Sequence, residues 1–210
     1  HGSSWVAERS VYHLKQNDGK RPFMLWSSFI APHPPLDVPE RWADLYKDVK
    51  LPPVKKTITP ISELAEEQRD MTDYPSEKYL QRVRELYMAA ISFVDYNIGK
   101  IIQQLKDMGE YDNTLIIFTS DHGEMLFDHH LWRKVFPYEG STHIPFLMRI
   151  GKHIANVLPH TVNGITELRD IMPTLLDLCE IPIPDTVDGC SLKKCIFQEA
   201  SFVRSYLHGE

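Results

Sequence analysis

The sequence predicts an α/β fold in which helices cover a sheet of mostly parallel strands. Short apolar runs alternate along the chain with longer segments of helical periodicity, the pattern of a layered α/β protein. The longest helical segment, residues 79–108, repeats apolar side chains at three- and four-residue spacing and is followed by Gly109 as a C-cap. Residues 115–119 (Leu-Ile-Ile-Phe-Thr) are short and β-branched, as is typical of a buried strand of a parallel sheet.

The remaining elements alternate in the same way. Prolines and glycines separate them and mark the turns. In chain order we expect a helix at 5–14, a strand at 23–30, a short helix at 39–48, a strand at 144–150 and a helix at 164–179.

Composition and charge limit the classes of function. The chain has 210 residues, 42% of them hydrophobic and 25% charged, which suits a folded domain with its own core. The formal net charge of −6 argues against nucleic acid as the main partner. No apolar run reaches the length of a membrane span. No signal peptide is visible either, and the compartment stays open between cytoplasmic and periplasmic or secreted.

An Asp-His pair follows the predicted strand 115–119 directly. Ligands of open α/β sheets bind beyond the carboxyl ends of the strands, and Gly123 lets the backbone turn there. Asp121 offers carboxylate oxygens and His122 an imidazole nitrogen, and both donors suit a divalent cation. The alternative is that Ser120 and Asp121 only cap a helix or turn.

Basic side chains crowd into the loop behind this pair. Residues 128–134 read Asp-His-His-Leu-Trp-Arg-Lys, so two histidines, Arg133 and Lys134 surround a tryptophan. A solvated loop does not need this set of groups, whereas an anion pocket does. His33 is a second pointer to chemistry, because prolines on both sides hold it on a stiff loop at the end of the predicted strand 23–30. A histidine that merely caps a turn is the alternative.

Four motifs together resemble the sulfatase family, of the arylsulfatase-like kind, within the alkaline phosphatase superfamily. They are Phe-x-x-Pro-His-x-Pro at 29–35, Ser-Asp-His-Gly-Glu-Met-Leu at 120–126, Asp-His-His-Leu-Trp-Arg-Lys at 128–134 and Pro-Tyr-Glu-Gly-Ser at 137–141. The resemblance implies a mixed, mostly parallel sheet sandwiched by helices, present here as a fragment.

The resemblance also implies roles for individual residues. Asp121 and His122 would bind the metal, and Lys134 would contact the sulfate. His33 would lie near the sulfate and the leaving oxygen, where it is the natural general acid, since imidazoles exchange protons near neutral pH. His130 and Arg133 could extend the anion pocket.

The resemblance covers only the later half of the family's catalytic domain. We expect residues 1–195 to be that later part, with 51–76 as a variable, lid-like insertion or a plain surface loop, and 196–210 to start a truncated C-terminal subdomain. The family's formylglycine nucleophile forms in a Cys/Ser-x-Pro/Ala-x-Arg motif. None of the three cysteines matches it, and all three are expected to be free thiols rather than zinc ligands or disulfide partners: Cys179, Cys190 and Cys195. The nucleophile is therefore expected upstream, and the fragment alone is expected to be inactive.

The activity implied is hydrolysis of a small-molecule or glycan sulfate ester, with a divalent metal as cofactor. Ca²⁺ is the first choice, with Mn²⁺ or Mg²⁺ as alternatives. The imidazole of His122 tilts the preference toward manganese or another transition metal. Two other readings stay open: a phosphodiester or phosphonate monoester hydrolase of the same superfamily, and a non-catalytic relative that binds sulfated glycans. The sequence predicts no oligomeric state.

Overall fold

The computed structural model describes residues 1–56, 61–63, 76–134 and 136–208, in two compact units, His1–Arg149 and Ile150–Glu210. The first unit contains helices and strands α1 (Gly2–Lys15), α2 (Glu40–Ala43), α3 (Glu77–Asp107), β1 (Ile116–Thr119), α4 (Glu139–Thr142) and β2 (Phe146–Arg149). The second contains α5 (Ile171–Leu178) and α6 (Lys193–Ile196). Short 3₁₀ segments lie at Asp44–Tyr46, Ile61–Glu63, Tyr111–Asn113, Asp128–His130 and Leu168–Asp170.

Helix α3 confirms the clearest pattern of the sequence. Its start is capped by Ser76, whose side chain accepts a hydrogen bond from the Tyr79 N–H at 3.2 Å. At its end Gly109 adopts a φ of 75°, and the Glu110 N–H donates to the Leu105 carbonyl at 2.9 Å. This is the Schellman ending that a glycine favours, because glycine has no Cβ to clash in the left-handed region.

Helix α1 packs along α3 through small and apolar residues. Ala7 and Leu14 are buried against Ile101 and Leu105 of α3. The sequence places α1 correctly, but Trp5, at its predicted start, is 64% exposed. The buried residues of α1 are three small ones, Ser3, Ala7 and Ser10, together with Leu14.

The only sheet among the described residues has two strands, and they run antiparallel. Ile116 pairs with Arg149 and Thr119 with Phe146. The expectation that 115–119 is a buried strand with parallel neighbours is therefore wrong for the pairing seen within this chain. Phe118 and its partner Leu147 are 41% and 60% exposed, so one side of the pair has no cover from the described residues.

Residues 23–30, expected to be a strand, are extended but make no ladder hydrogen bonds in the described structure. Leu25 and Phe29 pack against the α1–α3 cluster. Met24, Trp26 and Ile30 alternate with them and are 78–79% exposed. The alternation is that of a strand, but a ladder also needs a neighbouring strand, and no described strand lies beside this segment.

The second unit is organised around one buried carboxylate. Asp170 is fully buried and accepts hydrogen bonds from the N–H groups of Glu167 and Cys190, each at 2.8 Å. The Arg204 guanidinium pairs with both of its carboxylate oxygens, each at 2.5 Å. Close packing adds to this, since a Cβ on Gly189 would lie 2.0 Å from the Arg169 carbonyl oxygen.

The expectations about organisation have different outcomes. The three cysteines are free thiols, as expected. The domain boundary at 195/196 stays a prediction, and most of the segment 51–76 lies outside the described residues. None of the helices in the described part of the chain combines the length and the hydropathy that a bilayer-spanning helix needs.

Candidate active site

Asp121 and His122 lie in the turn directly after β1. Ser120 donates its hydroxyl to the His122 carbonyl at 2.7 Å, and the His122 N–H donates to Asp121 Oδ1 at 3.0 Å. His122 Nδ1 is 2.8 Å from the Gly123 carbonyl oxygen, which can only accept, so Nδ1 carries a proton. In the neutral imidazole, Nε2 then keeps the lone pair that a metal would need. That Nε2 lies 3.7 Å from Asp121 Oδ2. A nitrogen donor and a carboxylate oxygen thus lie side by side.

This donor pair fits a divalent cation but is only part of a coordination shell. The Nδ1–H to carbonyl bond orients the imidazole in the way that metal-binding histidines usually require. Among the described residues, no group of three or more His, Cys, Asp or Glu side chains comes together as a metal cluster. Any further metal ligands would have to be supplied by groups other than the His, Cys, Asp and Glu side chains of the described residues.

His33 is brought to the same place from a distant part of the sequence. Its ring centroid lies 6.1 Å from that of His122, with the rings at 69°. Its Nδ1 is 2.8 Å from the Pro34 carbonyl oxygen and therefore donates to it. His33 is exposed, and its Nε2 is the nitrogen that can exchange a proton with a ligand.

Gly123 is required by a close approach of two backbones. Its N–H donates to the Ser141 carbonyl, and the Glu124 N–H donates to the Gly140 carbonyl, both at 2.7 Å. A Cβ on Gly123 would lie 2.1 Å from the Gly140 oxygen. We expected a glycine here because it frees the backbone to turn, but Gly123 does not have a positive φ. The structure gives a different reason: the backbone of α4 crosses so close to Gly123 that a side chain would not fit.

Replacing Gly123 by alanine is expected to destabilise the turn that carries Asp121 and His122, because the new methyl group would overlap a backbone oxygen. Thermal unfolding should show a clearly lower midpoint. Gly99→Ala is the matched control: Gly99 lies inside α3, and no atom lies within 4 Å of the position that its Cβ would take. That variant should be more stable than wild type by about 0.5–1 kcal/mol. Equal midpoints for the two variants would contradict this account of Gly123.

The basic residues lie on what we call the site loop, residues 124–134. Five of its residues have positive φ without being glycine: Leu126, Phe127, His129, His130 and Arg133. Hydrogen bonds across the loop hold this conformation. The Arg133 N–H donates to Glu124 Oε1, and the Met125 N–H donates to the Arg133 carbonyl at 2.9 Å.

Lys134 is tied to the turn of the Asp-His pair. Ser141, whose carbonyl accepts from Gly123, also donates its hydroxyl to the Lys134 carbonyl at 2.8 Å. The side chains of Arg133 and Lys134 are exposed and that of His130 is half-buried. Within the described part of the chain, no hydrogen bond or ion pair engages these three side chains, and none joins them to His33 or His122.

Sequence reasoning missed the residues that shape the site loop. Glu124, inside the Ser-Asp-His-Gly-Glu motif, accepts from Arg133, and Asp128 accepts from the Lys55 N–H at 2.8 Å. Burial and the charge of Glu124 raise the pKa of Tyr87 to about 12, so this phenol stays protonated. The position of Glu124 in the motif was a usable signal, whereas the Asp128 contact spans distant parts of the sequence.

Comparison with known proteins identifies the family. Residues 6–181 match the sequence model of the Sulfatase family. The chain belongs to the sulfatase family. The sulfatase motifs at His33, Asp121 and Lys134 all lie within the matched range.

Three relatives illustrate the likeness. An arylsulfatase of Clostridium perfringens is 38% identical over all of this chain and 45% of its own length. A choline-sulfatase of Rhizobium meliloti is 36% identical over 90% of this chain and 39% of its own length. The structure of a phosphonate monoester hydrolase from Silicibacter pomeroyi superposes with a TM-score of 0.78 at 30% identity, covering 93% of this chain and 42% of that one.

These matches confirm the fold class, which is the α/β fold of the alkaline phosphatase superfamily. This sulfatase chain forms one part of that fold. The chain spans less than half the length of the relatives it matches.

Proposed function

We propose that this chain is the later part of a sulfuric ester hydrolase. The observation that carries the proposal is the position of the His33 ring, 6.1 Å from the His122 ring at the end of β1. A proton donor thus lies beside a pair of metal-binding groups. The arylsulfatase and choline-sulfatase relatives support the same reaction class.

Asp121 and His122 would hold a divalent metal through Oδ2 and Nε2, which lie 3.7 Å apart. The bound metal would supply a positive charge that holds and polarises the sulfate oxygens. Ca²⁺ is the first candidate because carboxylate oxygens suit it, and Mg²⁺ is an alternative for the same reason. Mn²⁺ is an alternative because the imidazole of His122 favours a transition metal.

The other residues act on the substrate itself. His33 would protonate the leaving alcohol from Nε2, while its Nδ1–H to Pro34 keeps the ring oriented. Lys134 would neutralise the charge that grows on the sulfate oxygens in the transition state. His130 and Arg133 would add weaker contacts to the anion.

The nucleophile is proposed to lie outside these 210 residues. None of the three cysteines stands in the formylglycine motif, and the relatives are about twice as long as the matched region. A formylglycine in that further part would supply the group that attacks sulfur. The substrate is proposed to be a small-molecule or glycan sulfate ester, and the names of the arylsulfatase and choline-sulfatase relatives support the small-molecule class.

The deciding experiment compares two proteins: the 210-residue chain and the longest protein that its gene encodes. We expect the longer protein to hydrolyse an aryl sulfate and to carry a formylglycine by peptide mass mapping. The 210-residue chain should show no turnover and weak metal binding by calorimetry, because it offers only two of the ligands. Measurable sulfatase turnover by the 210-residue chain would contradict the proposed division of the site.

Hydrolysis of a phosphodiester or phosphonate monoester is the second candidate. It is favoured by the imidazole at residue 122 and by the likeness to the phosphonate monoester hydrolase. The ratio of kcat/KM for an aryl sulfate to that for an aryl phosphodiester separates the two. If the longer protein lacks both a formylglycine and any turnover, the non-catalytic, glycan-binding alternative replaces both enzymes.

A further inference from the structure

The backbone of Lys55 is bonded on both sides to the site loop. Its N–H donates to Asp128 Oδ1 at 2.8 Å, and its carbonyl accepts from the His129 N–H at 2.7 Å. Residues 128 and 129 belong to the basic part of the loop, whereas Lys55 comes from a distant part of the sequence. The two bonds form a clamp that closes around Lys55.

The site loop needs such support because its backbone is strained. His129, His130 and Arg133 have φ values of 57°, 64° and 72°. At positive φ the Cβ of a non-glycine residue comes too close to a backbone carbonyl oxygen, so such residues persist there only when the surrounding structure holds them. The bond from the His129 N–H to Lys55 reaches outside the loop at the first of these three residues.

Lys55 can provide this support because the chain before it is fixed on α3. Arg84 donates to the Pro52 carbonyl at 2.7 Å, and Gln81 donates to the Val49 carbonyl at 3.0 Å. Val54 packs against the apolar cluster of Leu80, Val83 and Phe127. Through residues 49–54, the clamp thus connects the site loop to helix α3.

Lys134 is held by a different contact. Its carbonyl accepts from the Ser141 hydroxyl, next to the turn of Gly123, and not from Lys55 or Asp128. The clamp acts directly on Asp128 and His129, and His130 follows them, whereas Arg133 is held within the loop by its bonds to Glu124 and Met125. Loosening the clamp should disturb His129 and His130 before it disturbs Lys134.

We propose that Asp128 is a positioning residue which, through its clamp on Lys55, keeps the adjacent His130 in place to bind the sulfate ester. This inference rests on the proposed sulfatase function. It predicts that losing the clamp weakens substrate binding while the charge stabilisation by Lys134 continues. The signature is a raised KM with little change in kcat.

The test uses Asp128→Ala and Asp128→Asn in the longest protein that the gene encodes. Alanine removes the acceptor for the Lys55 N–H, whereas the amide oxygen of asparagine can still accept it. With an aryl sulfate as the probe, Asp128→Ala should raise KM about tenfold and leave kcat within about twofold. A tenfold change corresponds to the free energy lost with one hydrogen bond to a charged group. Asp128→Asn should stay near wild type in both.

Amide hydrogen exchange gives a readout independent of catalysis. Peptides that cover Lys55 and His129 should exchange about tenfold faster in Asp128→Ala and at the wild-type rate in Asp128→Asn. Asp95→Ala, which removes an exposed carboxylate on α3, is the matched control and should change neither quantity.

Three outcomes overturn the inference. The first is unchanged exchange in Asp128→Ala. The second is faster exchange with an unchanged KM, which makes the clamp purely structural. The third is a failure of Asp128→Asn to restore KM. In each of these the wild type remains active, whereas failure of the proposed function leaves the wild type without sulfate-ester turnover.

Discussion

Replacing Lys134 by alanine is expected to lower kcat/KM for an aryl sulfate by about a hundred- to a thousandfold in the longest protein that the gene encodes. The physical reason is that the Lys134 ammonium would neutralise part of the charge that develops on the sulfate oxygens, beside the charge that the metal supplies. Its backbone is fixed by Ser141, while its side chain is exposed and makes no hydrogen bond or ion pair with the described residues. The ammonium is thus available to a ligand.

The measurement is a steady-state comparison with two further variants. Lys134→Arg keeps the charge but replaces a compact ammonium by a planar guanidinium, so its activity should fall between wild type and Lys134→Ala. Lys50→Ala removes another exposed lysine of the same unit and should match wild type. Added methylammonium should partly restore Lys134→Ala. A loss of less than about threefold in Lys134→Ala would refute the assigned role.

The second large effect concerns stability. Arg204→Met is expected to lower the free energy of unfolding of the second unit by about 3–5 kcal/mol, because it leaves the Asp170 carboxylate buried without its partner. Asp170 is fully buried and the Arg204 side chain is only 13% exposed, so solvent screens the pair weakly. Hydrogen exchange in peptides that cover residues 164–204 measures the change.

The control variants separate the buried pair from its surroundings. Arg169→Met removes a neighbouring cation that pairs with Glu167 at 2.7 Å but is itself exposed, so its effect should be small. In the double variant, Asp170→Asn with Arg204→Met, much of the lost protection should return because no unpaired charge is then buried. If Arg204→Met and Arg169→Met showed the same hydrogen exchange in the second unit, the buried Asp170–Arg204 pair would not be what stabilises it.

The stability of the second unit should also depend on pH in a defined direction. Burial would raise the pKa of Asp170, but hydrogen bonds from Arg204 and from the Cys190 and Glu167 N–H groups outweigh burial and hold its pKa below the ordinary value. A depressed folded pKa stabilises the fold above the unfolded pKa of about 3.9, and this contribution is lost as pH falls through the folded pKa. The difference between wild type and Arg204→Met should therefore narrow below about pH 4.

Local patterns in the sequence predicted the elements whose signals are local. Helix α3 follows from apolar periodicity, and its ends follow from Ser76 and Gly109, because caps involve only residues close in sequence. The position of Asp121 and His122 directly after a strand was also predicted from the apolar run before them, while their role in metal binding stays a prediction. The strand at 23–30 was not confirmed, because a strand is defined by its neighbour and not by its own alternation alone.

The sequence by itself determined the family and the residue types available for chemistry, since motifs such as Ser-Asp-His-Gly are read without coordinates. Only the tertiary structure decided which groups meet. The 6.1 Å approach of the His33 and His122 rings, the crossing of Gly123 by Gly140, and the clamp of Asp128 on Lys55 each join distant parts of the chain. Such contacts depend on the path of the whole backbone, and no local pattern of residues encodes that path.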